Sequence, residues 1–282
     1  MTSIQWYPGH MAKARRQVEE KLSEIDIIYE ILDARAPLSS ANPMLQEIIG
    51  NKPRLVVLNK SDLADPLATA MFLSHFEKTG IPAVAINSLE GSFPKEILQK
   101  TDVILKDIRD REKRKGMSPR AYRAMVVGIP NVGKSQFINR LAGKAKAKTG
   151  NRPGITKQQT YLKAGKFLEL LDNPGILWPK FADRNTGYNL ALLGSVKEEV
   201  FVSESVAAYG IDLLERLYPG ILENRYGVQV DSKEPNQAID LIGSSRGCLL
   251  PEGKIDRDRA AKLFLRDIQT GKLGKISVER PE

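Results

Sequence analysis

Short apolar runs rich in isoleucine, valine and leucine recur along the first 180 residues, and each run ends at polar residues. Continuous apolar runs of this length are typical of parallel strands that are buried on both faces of a sheet. The runs are DIIYEILDAR, RLVVLNK, AVAIN, AMVVGIP and FLELLDNPG. Segments with helical periodicity, such as residues 66–79, lie between several of them. This alternation predicts an α/β fold with a doubly wound sheet, whose ligands would bind beyond the carboxyl ends of the strands.

The hydrophobic pattern changes near residue 180. After Trp178 the strand signal stops, and the remaining periodic segments have helical spacing. These segments are TGYNLALLGSVKEE, SESVAAYGIDLLERLY and DRDRAAKLFLRDIQTGK. We therefore predict two domains, an α/β domain over residues 1–180 and an all-helical domain over residues 181–282.

The composition is that of an ordinary globular protein, with 41% hydrophobic and 27% charged residues in a chain of 282. Cys248 is the only cysteine, which excludes an internal disulfide and favours a reducing compartment. No apolar run approaches the roughly 18 residues of a membrane span, and no signal peptide is recognisable at the N-terminus. We expect a cytoplasmic monomer without a membrane partner.

Positive charge is concentrated in the middle of the chain. Residues 109–166 hold sixteen lysines and arginines against two acids, whereas the whole chain carries a net charge of +9. A basic block of this kind attracts polyanions by counterion release, and nucleic acid is the commonest polyanion. Some of these charges could instead serve a bound nucleotide or a solvated surface. One or two phosphate ligands do not require sixteen cations, so the block favours contact with nucleic acid.

The segment GIPNVGKS, residues 128–135, matches the phosphate-binding loop GxxxxGK[ST]. It follows an apolar strand and precedes the helical segment QFINRLAG, which is the context that this motif requires. Gly128 and Gly133 permit a tight backbone path that directs N–H groups at phosphate oxygens, Lys134 can reach the β- and γ-phosphates, and Ser135 can ligate magnesium. The remaining predicted contacts of this loop are Asn131, Val132 and Gln136.

A guanine-reading motif, NKSD at residues 59–62, ends the second apolar run. The Asp62 carboxylate can accept hydrogen bonds from N1 and the 2-amino group of guanine, a pair that adenine lacks. Asn59 can contact the base and brace the loop, and the stem of Lys60 can lie over the ring. Further along, Asn87 and Ser88 in the segment INS would support the base. Together with the phosphate loop, NKSD selects GTP or GDP as the ligand.

A third motif, DNPG at residues 172–175, ends the last apolar run. Asp172 would hold magnesium through water, and the Gly175 amide would meet the γ-phosphate. Upstream, RPGIT supplies Thr156, whose hydroxyl is a candidate switch and magnesium ligand because it lies between the other two motifs. A lone threonine in a loop could also be a surface residue.

The order of these motifs differs from that of a small Ras-like GTPase, in which the phosphate loop comes first and NKxD comes late. Here NKxD comes first, followed by the phosphate loop, the switch threonine and DxxG. The pattern predicts a circularly permuted Ras-like P-loop GTPase domain with a C-terminal all-helical domain. The permutation joins DxxG directly to the helical domain, so that a γ-phosphate that orders the switch could reposition that domain.

The chain resembles the bacterial ribosome biogenesis GTPase A family in this motif order and in four segments. These segments are the opening IQWYPGHMAKARRQV, DARAPLSSANP, GIPNVGKS and DNPGILWPKF. The resemblance implies slow GTP hydrolysis that the ribosomal particle accelerates. It also implies an assembly factor that binds a late large-subunit precursor, with its helical domain on ribosomal RNA. Other interpretations are a permuted GTPase acting on the small subunit or a tRNA, and an RNA-binding module with little turnover. Gln136 and Asn173 stand where the family usually has threonine.

Activation of the attacking water needs a group other than the usual one. Ras-like GTPases use a glutamine directly after DxxG, and Ile176 occupies that position here. The family resemblance implies that His10, in WYPGHM, takes this catalytic role; alternatively, His10 belongs to an arm that packs or contacts RNA. Asn131 is a candidate ligand for a potassium ion beside the phosphates, as in related GTPases, or an asparagine selected for loop conformation.

The last helical segment carries a basic stripe. Arg259, Lys262 and Arg266 lie largely away from the apolar face that contains Phe264 and Ile268. A stripe of three charges is often only solvated. Together with the family resemblance, it makes these three residues candidates for contacts with RNA phosphates.

Overall fold

A computed structural model describes residues 9–91, 93–143, 161–165, 167–172, 183–229 and 235–281. The described residues fall into two compact units. One, called the sheet unit here, contains residues 9–172 together with residues 280 and 281. The other, called the helical unit, contains residues 183–279.

The sheet unit is built on a six-stranded sheet with the strand order β3-β2-β1-β4-β6-β5. The strands are β1 (Ile27–Asp33), β2 (Arg54–Asn59), β3 (Ala83–Ile86), β4 (Tyr122–Val127), β5 (Tyr161–Ala164) and β6 (Leu168–Asp172). Strands β1, β2, β3, β4 and β6 are parallel, and each overlaps one of the apolar runs, so the predicted α/β class is confirmed. β5 pairs antiparallel with β6 at the edge.

Strand β5 was not predicted from the sequence. It has four residues, of which Tyr161 and Lys163 are exposed while Ala164 is buried. An edge strand that is buried on one side alternates between polar and apolar residues, and a run of four is too short for that alternation to stand out.

The described residues of the sheet unit form seven helices. They are α1 (Gly9–Leu22), α2 (Pro37–Ser40), α3 (Pro43–Ile49), α4 (Pro66–Lys78), α5 (Phe93–Ile104), α6 (Lys106–Arg114) and α7 (Lys134–Ala142). α1 precedes the first strand, and the other six lie between strands. Proline at the first position and a side-chain cap define two of the starts: Asn42 accepts a hydrogen bond from the Met44 amide, and Asp65 accepts one from the Leu67 amide.

Adjacent residues of β1 anchor the cores on the two faces of the sheet, because successive strand side chains point to opposite sides. Ile28 packs with Val18 of α1 and Leu45 of α3. Tyr29 is fully buried on the other face, where its hydroxyl is 2.7 Å from the Thr101 hydroxyl of α5 and its ring meets Phe137 of α7 edge-on. Burying each such side chain contributes roughly 1.5–3 kcal/mol. The sheet is therefore covered on both faces, and its strand ends are left to form a site.

The helical unit contains five described α-helices. They are α8 (Arg184–Leu192), α9 (Ser203–Leu217), α10 (Ile221–Tyr226), α11 (Pro235–Ser245) and α12 (Arg257–Gln269). The apolar face of α12 is buried through Ala260, Phe264 and Ile268, as its periodicity predicts. α10 and α11 were not predicted. Within the described ranges, no helix is both long enough and apolar enough to span a membrane.

Candidate functional site

The described parts of the predicted motifs lie at one edge of the sheet. Asp33, Asn59, Ile86, Val127 and Asp172 are the last residues of the five parallel strands, so these strand ends share one edge. The strand order reverses direction between β1 and β4, which makes their carboxyl ends the switch point at which open α/β sheets bind ligands. The phosphate loop follows β4. NKSD begins at the end of β2, which is separated from β4 by β1.

The phosphate loop follows a backbone path that requires two of its glycines. Gly128 has a φ of 149° and Gly133 a φ of 97°, a region that side chains disfavour. A Cβ atom on Gly128 would lie 2.5 Å from the carbonyl oxygen of Ile31, and one on Gly133 would lie 2.2 Å from Nδ2 of Asn59. Helix α7 begins directly afterwards at Lys134. The loop therefore presents the positive end of a helix and a close backbone path, which together suit a phosphate group.

Other residues of the phosphate loop are held in defined positions. Val132 is buried, and Lys134 is 8% exposed and donates a hydrogen bond from Nζ to the carbonyl oxygen of Ile129 at 2.8 Å. Asn131 has a φ of 62°, a left-handed conformation that asparagine adopts more readily than most residues. Loop conformation thus accounts for an asparagine here with or without a cation. Ser135 and Gln136 are the second and third residues of α7.

Asn59 links three loops that are far apart in sequence. Its Nδ2 donates a hydrogen bond to the carbonyl oxygen of Val132 at 2.6 Å. Its Oδ1 accepts hydrogen bonds from the Ser88 amide at 3.0 Å and from the Ser88 hydroxyl at 2.7 Å. Both ends of the buried amide are therefore used inside the protein, and the structure places Asn59 as the brace between NKSD, the phosphate loop and INS.

Asp62 has the free acceptor that base recognition needs. Its Oδ1 is buried and has no hydrogen-bond partner among the residues that the structure describes. A buried acceptor without a donor is costly, so it suits a ligand that brings an N–H group. The Asn87 side chain also shapes its own loop, since its Oδ1 accepts a hydrogen bond from the Leu89 amide at 2.9 Å.

A buried charge cluster that involves Lys60 lies next to this motif. Lys60 has a φ of 61°, and its Nζ donates to Oδ2 of Asp33 at 3.0 Å. Asp33 also accepts two hydrogen bonds from the Arg35 guanidinium, from Nε at 2.9 Å and from Nη2 at 2.8 Å. Asp33 and Arg35 are both at most 1% exposed. The carboxylate therefore anchors the lysine whose stem is predicted to cover the guanine ring.

The electrostatics of this cluster follow from burial and proximity. Burial alone would raise the pKa of Asp33, but the charges of Arg35 and Lys60 hold that pKa well below its ordinary value. Burial lowers the pKa of Lys60, and the Asp33 carboxylate opposes the shift. The sequence pattern alone assigned no role to Asp33 or Arg35. The one feature that could have indicated the cluster is the aspartate at the end of β1, the strand that pairs with β2.

The structure describes no side chain for four predicted site residues: Thr156, Gly175, Asp172 and His10. Thr156 and Gly175 lie outside the described residues, as do the motif positions Asn173 and Ile176. Asp172 ends β6 beside Val126 of β4, and His10 is the second residue of α1, but their side chains are outside the description. The magnesium ligands and the catalytic histidine therefore remain predictions.

Four arginines of the central basic block make contacts within the sheet unit. Arg120 forms ion pairs with Asp26 and Glu112, Arg109 pairs with Asp102, and Arg123 pairs with Glu24 and Glu169. Arg140 donates to the carbonyl oxygens of Leu89 and Gly91. These contacts give part of the described block a structural use. By contrast, Arg259, Lys262 and Arg266 line one groove in the helical unit.

Comparison with known proteins gives consistent matches. Residues 123–215 match the family model described as 50S ribosome-binding GTPase. The chain is 52% identical over 279 residues to ribosome biogenesis GTPase A of Bacillus licheniformis, with 99% of each chain covered. Among solved structures, it is similar to GNP-bound YlqF from T. maritima, with a TM-score of 0.67, 27% identity, and coverage of 96% of this chain and 99% of that one. The GDP-bound structure of TM YlqF matches with a TM-score of 0.69, 26% identity, and coverage of 94% and 99%.

Proposed function

The chain belongs to the ribosome biogenesis GTPase A family and is a GTPase, and we propose that it assembles the large ribosomal subunit. In this proposal it binds a late large-subunit precursor and its rRNA, and its GTP state controls docking and release. The observation that carries the nucleotide part is the meeting of NKSD, the phosphate loop and INS around Asn59, with the Asp62 acceptor left for a base.

The residues of the sheet edge divide the recognition of GTP and GDP between base and phosphates. Asp62 accepts hydrogen bonds from guanine, and Lys60 is held by Asp33 so that its stem flanks the ring. The start of α7 and the tight loop that ends at Gly133 receive the phosphates. Lys134 exchanges its contact with the Ile129 carbonyl for a phosphate oxygen. Asn59 keeps these loops in register.

Magnesium and potassium would lie on the phosphate side of the site. Ser135 at the start of α7, Thr156, and Asp172 at the end of β6 would hold magnesium, and Asn131 would hold potassium. The hydroxyl of Ser135, which the structure describes, and the position of Asp172 at a strand end fit the oxygen ligands that magnesium requires. When bound, the two ions neutralise negative charge on the phosphates.

His10 would position the attacking water, because Ile176 has no side-chain donor or acceptor for that task. We expect hydrolysis to be slow in the isolated protein and faster on the ribosomal particle, which would bring the N-terminal segment to the site. Since DxxG leads directly into the helical domain, the response of DxxG to the γ-phosphate would alter the binding of the helical domain to rRNA. The factor would act as a cytoplasmic monomer.

Co-sedimentation with separated ribosomal subunits tests this proposal. The full chain is incubated with mature and precursor particles, with GDP or with a non-hydrolysable GTP analogue. We expect association with the large-subunit precursor that is tighter with the analogue, and a faster GTP turnover in the presence of that particle. Asp62→Asn, which weakens GTP binding, should remove the difference between nucleotides. Preferential binding to the small subunit or to tRNA would reassign the target, and equal binding with GDP and the analogue would contradict the switch.

A further inference from the structure

Helix α7 joins the phosphate side of the proposed nucleotide site to its base side. The helix begins at Lys134, directly after the phosphate loop. Further along, Phe137 and Arg140 are three positions apart, so they lie on the same face of the helix. The Phe137 ring stacks on the Phe93 ring at the start of α5, with the centroids 5.8 Å apart and the planes at 15°. This face of α7 therefore packs against the part of the chain that follows β3 and carries INS.

Arg140 makes polar contacts on this face. Its Nη1 donates a hydrogen bond to the carbonyl oxygen of Leu89 at 3.2 Å, and its Nη2 donates one to the carbonyl oxygen of Gly91 at 2.7 Å. Both acceptors belong to residues 87–91, which are called the INS loop here. A guanidinium presents its donors in a fixed planar fork, so one side chain can hold two carbonyl groups at a defined spacing.

Contacts with NKSD hold the start of the INS loop. Ser88 donates hydrogen bonds from its amide and its hydroxyl to Oδ1 of Asn59. The carbonyl oxygen of Ile86, directly before the loop, accepts a hydrogen bond from the Ser61 amide at 3.1 Å. The INS loop is therefore fixed by NKSD at its start and by α7 at its end, and Arg140 supplies the hydrogen bonds of the second connection.

The contacts of Arg140 bear on nucleotide binding more than on folding. Arg140, Leu89 and Gly91 are all exposed. Water can replace the two hydrogen bonds if the guanidinium is removed, so the folded protein should lose little stability. The end of the INS loop would then be free to take other conformations. A nucleotide would have to order the loop when it binds, which lowers affinity.

We propose that Arg140 is a positioning residue for guanine nucleotides. Lys134 and Arg140 are six residues apart, about 9 Å along one rigid helix. Arg140 thereby holds the INS loop at a fixed distance from the phosphate loop, so that the base and the phosphates of one nucleotide meet both loops together. The guanidinium contacts protein carbonyls and acts on the nucleotide through the loop. The inference rests on the proposed nucleotide site, to which it adds a residue that no motif contains.

The test compares the full chain with Arg140→Gln and Arg140→Lys. Stopped-flow measurements with fluorescent GDP give the association and dissociation rates, and competition with inosine diphosphate measures recognition of the 2-amino group, which Asp62 is proposed to read. Thermal melting of the nucleotide-free protein and the turnover rate at saturating GTP are measured alongside. Arg109→Gln is the matched control, since Arg109 is an arginine of α6 that contacts Asp102 through its side chain and backbone.

Arg140→Gln should weaken GDP binding by roughly three- to tenfold, the range of one or two ordinary hydrogen bonds. The loss should lie in a faster dissociation rate. Binding of inosine diphosphate should weaken by the same factor, because the 2-amino contact is unchanged. The melting temperature should change by less than about 2 °C, and turnover at saturating GTP should stay at the wild-type rate. Arg140→Lys keeps the charge but not the fork, so it should recover only part of the affinity. Arg109→Gln should match the wild type.

Two results would overturn the assignment of Arg140. Full recovery in Arg140→Lys would show that its charge attracts the phosphates and that no clamp is needed. Wild-type GDP affinity in Arg140→Gln, with binding lost in Asp62→Asn, would leave the nucleotide site in place without a role for Arg140. If Asp62→Asn and Arg140→Gln both bind GDP as the wild type does, the proposed site itself fails.

Discussion

Replacing Asp33 by asparagine removes a negative charge that two cations share and changes the shape of the side chain very little. In the wild-type protein the carboxylate accepts from Nε and Nη2 of Arg35 and from Nζ of Lys60, at distances between 2.8 and 3.0 Å. An asparagine amide would turn an N–H group toward one of these donors. Arg35, which is fully buried, would keep its charge and lose the carboxylate that pairs with it in the wild-type protein.

The expected loss of stability is large. Removing one partner of a buried, hydrogen-bonded ion pair costs about 3–5 kcal/mol, mainly because the remaining charge is left in a poorly solvated place. For a unit of this size, each kcal/mol shifts the melting temperature by roughly 2–4 °C. Asp33→Asn should therefore lower the melting temperature of the sheet unit by roughly 6–20 °C. It should also weaken GDP binding, because Lys60 loses the anchor that holds it beside the base.

Thermal melting with and without GDP, together with a fluorescent-nucleotide titration, measures both effects. Asp102→Asn is the control, since Asp102 forms an exposed ion pair with Arg109 and its side chain is 68% exposed. Such a pair contributes little, so the control should change stability by less than about 1 kcal/mol. If Asp33→Asn melts at the same temperature as Asp102→Asn, the buried cluster does not stabilise the fold as argued.

A double variant separates two causes of the lost stability, the missing attraction of the Asp33 carboxylate and the buried charge that remains on Arg35. Arg35→Met removes the buried cation and keeps an unbranched apolar stem, so Asp33→Asn with Arg35→Met should be more stable than Asp33→Asn alone.

The pH dependence of the stabilisation by Asp33 has a defined sign as well. Because the pKa of Asp33 is lowered by folding from its ordinary value of 3.8, its stabilising effect is complete above that value and is lost as the pH falls toward the folded pKa. The gap between wild type and Asp33→Asn should therefore narrow below about pH 4.

Four further changes address the nucleotide site. Asp62→Asn should weaken GTP binding by on the order of 3 kcal/mol and favour xanthosine nucleotides; an unchanged guanine preference in a competition assay would remove Asp62 from the site. Gly133→Ala should abolish nucleotide binding without unfolding the protein, since its Cβ would lie 2.2 Å from Nδ2 of Asn59; equal GDP affinity in a titration would contradict this. Potassium should stimulate hydrolysis more than sodium at equal ionic strength, and Asn131→Ala should abolish the difference; equal wild-type rates in both salts argue against a potassium site. His10→Ala should lower particle-stimulated hydrolysis at least tenfold, within the ~10²–10⁴ range of general acid–base groups, with GTP affinity and particle binding unchanged; lost particle binding with intact intrinsic turnover would identify an RNA contact.

The sequence was sufficient for the features that local patterns encode. Buried parallel strands are continuous apolar runs, so β1, β2, β3, β4 and β6 could be located from hydrophobicity alone. The phosphate loop and NKSD are short segments whose chemistry depends on adjacent residues, and their order along the chain reveals the permutation. Motifs at strand ends could be assigned to one edge because parallel strands end on the same side of a sheet.

The tertiary structure decided which distant residues meet. Asn59 contacts Val132 across 73 positions, and Lys60 contacts Asp33 across 27. One groove of the helical unit likewise combines Arg225 of α10 and Arg246, which follows α11, with the stripe on α12, although the sequence predicted neither α10 nor α11. Helical and strand periodicities report which face of an element is buried, but they carry no information about the partner that covers it. Side-chain contacts between elements depend on strand order and helix packing, and these exist only once the whole chain has folded.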